Sequence, residues 1–329
     1  MHSMENIGIT PSYDPLLAER GNRTRGEIRR TRHRAELPLY IACSVIGCIG
    51  ACFMLFYLTE EFDVIGELKK FLESGGFKEG STGFLELFVL ILLATGFLSG
   101  ILSVIFMVVM YVINVYSIYA QQLSYSIRVS ETNFPEIYAK VREYSQVLGL
   151  RKEPEVFVQQ MNGELNAFTC WVPGRTFIQM NAEIVDIAYM ENKDFDTVFF
   201  VMAHEFGHVH LHHVQLLYTI WPNLAMLVPF LGRVILSPLL QRSREYSADR
   251  VAQALTGGTS QLRTMMLLSA GRHAYKYVSP ADYLREITRK RLPVERFAVW
   301  ITNLLASHPI MPYRVAAIMD PAKKSGRLL

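Results

Sequence analysis

Two long stretches of the chain contain no charged residue and are mostly apolar. The first, Leu37–Leu58, has 22 residues, and the second runs from Leu87 to Tyr119. A helix rises 1.5 Å per residue, so about 20 residues cross a hydrocarbon core of roughly 30 Å. A buried helix of a soluble protein is the alternative for each stretch. These lengths instead favour two transmembrane helices, over 37–58 and about 87–113, the second continuing as helix beyond the membrane.

The rest of the chain alternates between helical and extended periodicity. Apolar residues recur at helical spacing in some segments, whereas others are short β-forming runs separated by a Pro-Gly pair that suits a tight turn. The patterns predict a helix, a strand, a hairpin and a further helix over Phe134–Leu148, Glu155–Gln159, Leu165–Met180 and Glu295–Leu305, respectively. We therefore predict a mainly α domain with a small β-sheet over residues 120–329.

Charge is distributed unequally around the first apolar stretch. Seven arginines precede it, namely Arg20, Arg23, Arg25, Arg29, Arg30, Arg32 and Arg34. The segment 59–83 that follows has six acidic residues against three lysines. The positive-inside rule then places the basic tail 1–36 in the cytoplasm and 59–83 outside, and the second span of the two-span anchor 37–119 returns the chain to the cytoplasm. A basic tail can also bind nucleic acid or acidic lipid, but directly before a span it is more simply a topology signal, and we expect no nucleic-acid partner.

Composition agrees with an integral membrane protein. Half of the residues are hydrophobic, and the mean hydropathy is positive at +0.18. Three of the four cysteines, Cys43, Cys48 and Cys52, lie in the first apolar stretch, and Cys170 lies in the predicted hairpin. None forms a CxxC pair of the kind that binds metal, and we expect no disulfide framework.

The strongest chemical signal is the segment His204-Glu205-Phe206-Gly207-His208, which follows an apolar, helix-compatible run. Residues i and i+4 lie one turn apart on the same helix face, so both histidines can bind one metal ion. Glu205 then lies beside the metal, where it can take a proton from a water that the metal activates. A five-residue pattern also occurs by chance, and such a site needs a third protein ligand.

Glu245 and Asp249 are the candidates for completing the site. They are four residues apart and share one face if their segment is helical. Glu245 can then bind the metal while Asp249 accepts the free ring N–H of a histidine ligand. The alternative is a solvated acidic face that pairs with Arg244 and Arg250. The two histidines favour the metal-site interpretation.

Together these motifs resemble the M48 family of membrane-associated zinc metallopeptidases, which includes HtpX-like proteases and Ste24-like CAAX prenyl-protein proteases. Asn166-Ala167-Phe168 is similar to the family's NAF strand, and Ser307-His308-Pro309 followed by Arg314 is similar to its C-terminal motif. The resemblance extends over roughly residues 137–318. It implies a gluzincin-like zincin fold, one Zn²⁺ per chain and hydrolysis of peptide bonds.

The resemblance implies four groups of site residues: the zinc ligands His204, His208 and Glu245; the catalytic base Glu205; His308 and Arg314 beside the oxyanion or the substrate backbone; and the substrate-binding edge Asn166, Ala167 and Phe168. Two of these roles have alternatives. Arg314 can instead pair with an acidic neighbour, and the segment around Asn166 can be a plain structural hairpin.

Three more histidines, His210, His212 and His213, follow the motif. We expect none of them to bind the zinc, because successive turns of one helix cannot surround one ion. His212 is expected to support a ligand or to lie at the surface, and His210 and His213 are expected to face elsewhere.

A third apolar region, Val214–Leu240, contains three prolines and a single charge, Arg233. His208 and Glu245 flank it and must meet at one metal, so it crosses the membrane an even number of times. Two crossings would leave about 13 residues each, which is shorter than a span. We predict a hairpin over 214–240 that lies in the membrane surface or is partly inserted, with a buried soluble hairpin as the alternative.

We therefore expect a zinc endopeptidase that acts on membrane or membrane-proximal polypeptides. A CAAX prenyl-protein protease would use the same site but encloses it among many spans, so two spans favour the HtpX-like form. A non-catalytic metal-binding scaffold would be expected to lack Glu205. A metal transporter would need ionisable ligands within Leu37–Leu58 or Leu87–Tyr119, and these stretches contain no Asp, Glu or His.

Overall fold

The computed structural model of the protein describes residues 31–61, 73, 109–191, 194–256, 260–288, 292–306, 308–319 and 326–328. They group into two compact units, one made of the described residues up to Gly47 and from Gln121 onward, the other of those between Cys48 and Ala120. Three predicted segments lie mostly outside the described residues. They are the second span as far as position 108, the tail as far as position 30, and nearly all of the external loop.

The described part of the chain is mainly helical. The helices are α1 (Glu36–Glu61), α2 (Pro135–Val147), α3 (Ala182–Asp186), α4 (Phe195–His210), α5 (Leu216–Asn223), α6 (Ser237–Thr256), α7 (Ser260–Ala274), α8 (Pro280–Thr288), α9 (Pro293–Leu305) and α10 (Met311–Met319). Residues 109–125 are also helical. Two π-helical segments, Ile187–Glu191 and Pro229–Leu236, and two 3-10 segments, Leu224–Leu227 and Tyr275–Tyr277, connect the others.

A small mixed sheet completes the fold, as the sequence predicted. Its strands are β1 (Ile127–Arg128), β2 (Glu155–Gln159), β3 (Ala167–Val172) and β4 (Arg175–Asn181). Their order is β1-β2-β4-β3, with β2 and β4 parallel and the other pairs antiparallel. Gly174 has a φ of 86° in the tight turn between β3 and β4, a conformation that glycine adopts readily. This order leaves β3 at one edge of the sheet.

The main core lies between the sheet and α4. The side chains of Ile178 and Met180 from β4 and of Met202 and Phe206 from α4 are buried in one cluster. Helix α4 also packs tightly on α6. A Cβ atom added at Gly207 would lie 2.9 Å from the Cα atom of Ala248. The absence of a side chain at Gly207 therefore brings the two helices that carry the metal-site motifs into close contact.

The third apolar region forms a helical hairpin. Helix α5 and the 3-10 segment lead into the π-helical segment, which runs back to α6. Gly232 lets the two arms approach closely, because a Cβ atom there would collide with the main chain of Ala225. Ala225 and Leu240 also form a small buried cluster with Cys43, so the first turns of α1 pack against this hairpin.

Residues 31–36 pack against the helices around the metal-site motifs. Thr31, His33 and Glu36 are buried. The main-chain N–H of His33 donates to Ser247 Oγ at 2.8 Å, and Arg32 Nη2 donates to the carbonyl oxygen of Leu211 at 2.6 Å. The described end of the predicted tail is therefore part of the compact unit that contains these motifs, which the sequence pattern did not indicate.

Helix α1 is the one helix among the described residues that is long and apolar enough to cross a membrane, judged by length and composition, with the candidate span Glu36–Phe53. Its exposed apolar side chains recur every fourth residue, at Leu37, Ile41, Val45, Ile49 and Phe53. Each step of four residues turns the position by about 40° on a helix of 3.6 residues per turn, so these side chains form an apolar stripe that winds around the helix.

Candidate metal centre and active site

Helix α4 brings two histidines to one point. Its N-terminus is fixed by Asp194, whose carboxylate accepts from the main-chain N–H of Thr197 at 3.2 Å and from the Thr197 hydroxyl at 2.9 Å. One turn apart near the other end, His204 and His208 direct their Nε2 atoms toward each other at a separation of 3.2 Å. Both side chains have little contact with solvent.

Helix α6 supplies the third donor. Glu245 Oε2 lies 3.4 Å from His204 Nε2, and Glu245 Oε1 lies 3.5 Å from His208 Nε2. Two imidazoles and one carboxylate are a ligand set that zinc prefers. Ligands of a tetrahedral zinc ion with bonds of about 2.0–2.2 Å lie roughly 3.3–3.6 Å apart. The separations of 3.2–3.5 Å here are close to that range, so the three side chains are grouped as zinc ligands would be. They form a group that can hold a metal ion within the described residues.

Asp249 supports the first histidine. The Nδ1–H of His204 donates to Asp249 Oδ1 at 2.9 Å, and Arg314 donates to both oxygens of that carboxylate at 2.9 and 2.6 Å. Burial alone would raise the pKa of Asp249, but Arg314 and His204 outweigh it and lower this pKa. Burial alone would lower the pKa of His204, whereas its hydrogen bonds to Asp249 and Glu245 raise it to about 10. The two carboxylates therefore make His204 strongly basic.

The second histidine has a longer chain of partners. His208 Nδ1 lies 2.9 Å from His213 Nδ1, and His213 Nε2 lies 3.1 Å from Glu36 Oε1. Burial lowers the pKa of His208 to about 4 and that of His213 to about 3, so both rings are neutral at pH 7. The prediction that His213 faces away from the site is wrong.

Glu205 lies beside the ligand cluster and contacts the sheet. The hydroxyl of Thr169 on β3 donates to Glu205 Oε2 at 2.6 Å. Glu205 is buried, and this burial raises its pKa. A carboxylate whose pKa is moved toward neutrality is well suited to accept and return a proton. Thr169 has no signal in the sequence, because a single threonine in a strand carries no distinguishing pattern.

His308 and Arg314 both approach Glu245 Oε2 but differ in exposure. His308 is largely exposed, and its Nδ1 is 3.2 Å from Glu245 Oε2. Arg314 is buried, and its closest approach to Glu245 is 4.0 Å, because its main contacts are with Asp249. His308 is thus a solvent-exposed neighbour of Glu245, whereas Arg314 is a buried partner of the carboxylate that accepts from His204.

The Asn166–Phe168 segment lies where β3 begins. The side-chain oxygen of Asn166 accepts from the N–H of Ala167 at 2.9 Å, and the carbonyl of Asn166 accepts from Asn181. Phe168 packs edge-on against Phe177 of β4. Since Thr169 is the next residue and contacts Glu205, the predicted substrate-binding segment borders the site along the edge strand.

The remaining histidines of the tract lie apart from the ligand cluster. His212 is exposed, has a φ of 63° and stacks near the ring of Tyr218. His210 is buried. Within the described residues, the group of possible metal ligands consists of His204, His208 and Glu245.

Two histidines one turn apart on a helix, a glutamate from a second helix and a buried glutamate beside them define a zinc metallopeptidase site. The model of peptidase family M48 matches residues 131–322 of the chain. The chain belongs to peptidase family M48, whose members are zinc-dependent metallopeptidases. Searches of curated proteins and of solved structures found no match.

Proposed function

We propose that the protein is a membrane-anchored zinc endopeptidase that cleaves membrane or membrane-proximal polypeptides in an HtpX-like manner. The observation that carries the proposal is the convergence of His204, His208 and Glu245 at 3.2–3.5 Å beside the buried Glu205. His204, His208 and Glu245 would hold the zinc ion, which when bound acts as a Lewis acid that polarises the peptide carbonyl and acidifies water.

Glu205 is the general base of this proposal. Its carboxylate accepts a proton from the attacking water as the new C–O bond forms, and it returns that proton to the amine as the C–N bond breaks. Thr169 orients the carboxylate through its 2.6 Å hydrogen bond. His308 lies on the exposed side of Glu245, where its ring N–H can donate to the developing oxyanion.

Substrate is proposed to bind in extended form along β3. Among the described strands, β3 is at the sheet edge and pairs with β4 on one of its two sides. The carbonyl of Asn166 bonds β4, so the alternation of an antiparallel ladder directs the main-chain groups of Thr169 and Trp171 away from β4. Main-chain pairing there binds peptides with little dependence on their side chains.

Several features support membrane anchoring. Helix α1 is apolar along 36–53, and Phe53 at the end of its stripe is 71% exposed. The hairpin after α4 presents further apolar side chains, including Trp221 and Phe230. A bilayer would cover these surfaces, and Trp221 suits the level of the lipid headgroups.

The contact between Glu36 and His213 supports an even number of membrane crossings between the start of α1 and the active site. Glu36 begins α1, and it lies 3.1 Å from a residue that itself contacts the metal ligand His208. The active site therefore lies on the same side of any membrane that α1 crosses as the start of α1. If α1 crosses once, a second crossing must follow before α2, as Leu87–Tyr119 predicts. With the arginine-rich tail inside, the active site faces the cytoplasm.

The test compares full-length wild type with Glu205→Gln in detergent, measuring bound zinc and cleavage of casein. We expect about one zinc in both proteins and a loss of cleavage of at least about 10²-fold in the variant, since a general base contributes 10²–10⁴-fold. Retained cleavage by Glu205→Gln would contradict the assigned base. Absence of zinc from wild type even after reloading would contradict the whole proposal. Cleavage of a prenylated CAAX peptide but not of casein would instead favour the CAAX protease alternative.

A further inference from the structure

We propose that His213 and Glu36 form a positioning relay that holds His208 for metal binding, so that the affinity of the metal centre depends on the residue that begins α1. The proposal rests on the zinc site proposed above. It concerns two residues that are 177 positions apart in sequence and that no metal-site motif includes.

The ring nitrogens fix the direction of each hydrogen bond. His208 Nε2 faces the ligand cluster, 3.2 Å from His204 Nε2, so its Nδ1 carries the proton. That Nδ1–H donates to His213 Nδ1 at 2.9 Å. A neutral imidazole has one donor and one acceptor, and the Nε2–H of His213 therefore donates to Glu36 Oε1 at 3.1 Å. Each step determines the tautomer of the next ring.

The far end of the relay is itself held in place. The Glu36 carboxylate accepts from Arg32 and from the Ser247 hydroxyl. Arg32 also donates to the carbonyl of Leu211, just after α4 ends. Glu36 and His213 are both buried, so these bonds are shielded from competition with water.

The two histidine ligands are then supported in parallel ways. His204 donates to Asp249, whose charge is balanced by Arg314. His208 donates through His213 to Glu36, whose charge is balanced by Arg32. A carboxylate behind a histidine ligand orients the ring and raises its basicity toward the metal. For His208, the imidazole of His213 lies between the ligand and the carboxylate and transmits the influence of Glu36 at the start of α1.

The experiment uses the full-length protein in detergent and the variants Glu36→Gln and His213→Asn. Asparagine reaches the position of Nδ1 but not that of Nε2, so His213→Asn removes the bond between residues 213 and 36. Glu36→Gln keeps an acceptor oxygen there and removes the negative charge at the end of the relay. His212→Asn is the matched control, because His212 is the neighbouring exposed histidine and its positive φ suits asparagine. The measurements are the zinc dissociation constant by chelator competition, the absorption spectrum of the Co²⁺-substituted protein and thermal unfolding of the metal-free protein.

We expect zinc affinity to fall about 10–100-fold in Glu36→Gln and His213→Asn, with altered cobalt bands, and to stay within about twofold of wild type in His212→Asn. The double variant should bind zinc no more weakly than the weaker-binding single variant, since both substitutions act on one chain of bonds. Unchanged zinc affinity and cobalt bands in Glu36→Gln would overturn the relay, even if thermal stability fell. That result would leave the proposed function intact if wild type binds zinc and cleaves casein. If His213→Asn fails to fold, the zinc affinity and cobalt bands of the isosteric Glu36→Gln decide whether the relay exists.

Discussion

Glu205 is subject to two opposing influences on its proton affinity. Burial raises its pKa, whereas the hydrogen bond from Thr169 and the nearby His204 lower it. Thr169 also lies 3.3 Å from the carbonyl oxygen of Glu205, so one hydroxyl contacts both the side chain and the main chain of the proposed base. The base is thereby oriented by the same strand that is proposed to bind the substrate.

Replacing Thr169 by valine should test this role with little change in volume. Because a hydrogen bond to a charged group is worth about 1.5–3 kcal/mol, we expect kcat to fall at least about tenfold while bound zinc is unchanged. Loss of the bond raises the pKa of Glu205, and the base is active only when deprotonated. The acidic limb of the pH–rate profile should therefore move to higher pH. Thr169→Ser should restore both values, and equal kcat values for Thr169→Val and wild type would contradict the assignment.

Helical spacing grouped four of the site residues in the sequence, whereas the contacts of Thr169 and His213 have no such pattern. His204 and His208, like Glu245 and Asp249, are four residues apart on helices, so their grouping could be predicted from α-helical geometry. His213 was predicted wrongly because helix α4 does not continue to it. The positive φ of His212 ends the helix, and the N–H of His213 returns to the carbonyl of His208 at 3.0 Å.

At the scale of elements, the metal centre depends on how closely α4 and α6 approach. The ligands His204 and His208 are on one helix and Glu245 is on the other, so the separation of the helices sets the distances between donors. Gly207 lies at the contact, opposite Ala248 and Val251. The sequence indicated a helix around His204 and left the helical state of the segment around Glu245 as a condition. The separation of the two helices is a property of the packed pair.

The variant Gly207→Ala separates helix propensity from packing. Propensity alone would stabilise α4 by up to about 1 kcal/mol. The added Cβ would lie 2.9 Å from the Cα atom of Ala248, which is main chain and cannot rotate away. We expect overpacking to prevail, with a loss of about 1–3 kcal/mol in the free energy of unfolding and weaker zinc binding. Chemical denaturation of zinc-loaded wild type and variant measures this difference, and a more stable Gly207→Ala would show that the helices can move apart freely.

At the scale of the whole molecule, the start of α1 is connected to the metal centre through Glu36 and His213. Hydropathy and charge indicated an anchor preceded by a separate basic tail, because these patterns are read along the chain and do not register contacts between distant segments. Residues 31–36 in fact pack against α4–α6. In the proposed function the anchor and the peptidase unit therefore share residues, and the topology of the anchor would determine the compartment of the active site.

This topology predicts the labelling of single cysteines by a membrane-impermeant maleimide in intact cells. In a background with all four native cysteines replaced, Ser81→Cys lies in the predicted external loop and should react at once. Glu131→Cys, whose parent residue is exposed on the peptidase unit, should react only after permeabilisation. The expectation follows because α1 begins on the side of the active site and a single crossing carries the loop to the other side. Labelling of both positions from outside would mean that 37–58 does not cross. The reverse pattern would mean that the active site faces away from the cytoplasm, and casein cleavage by the cysteine-free protein controls for its folding.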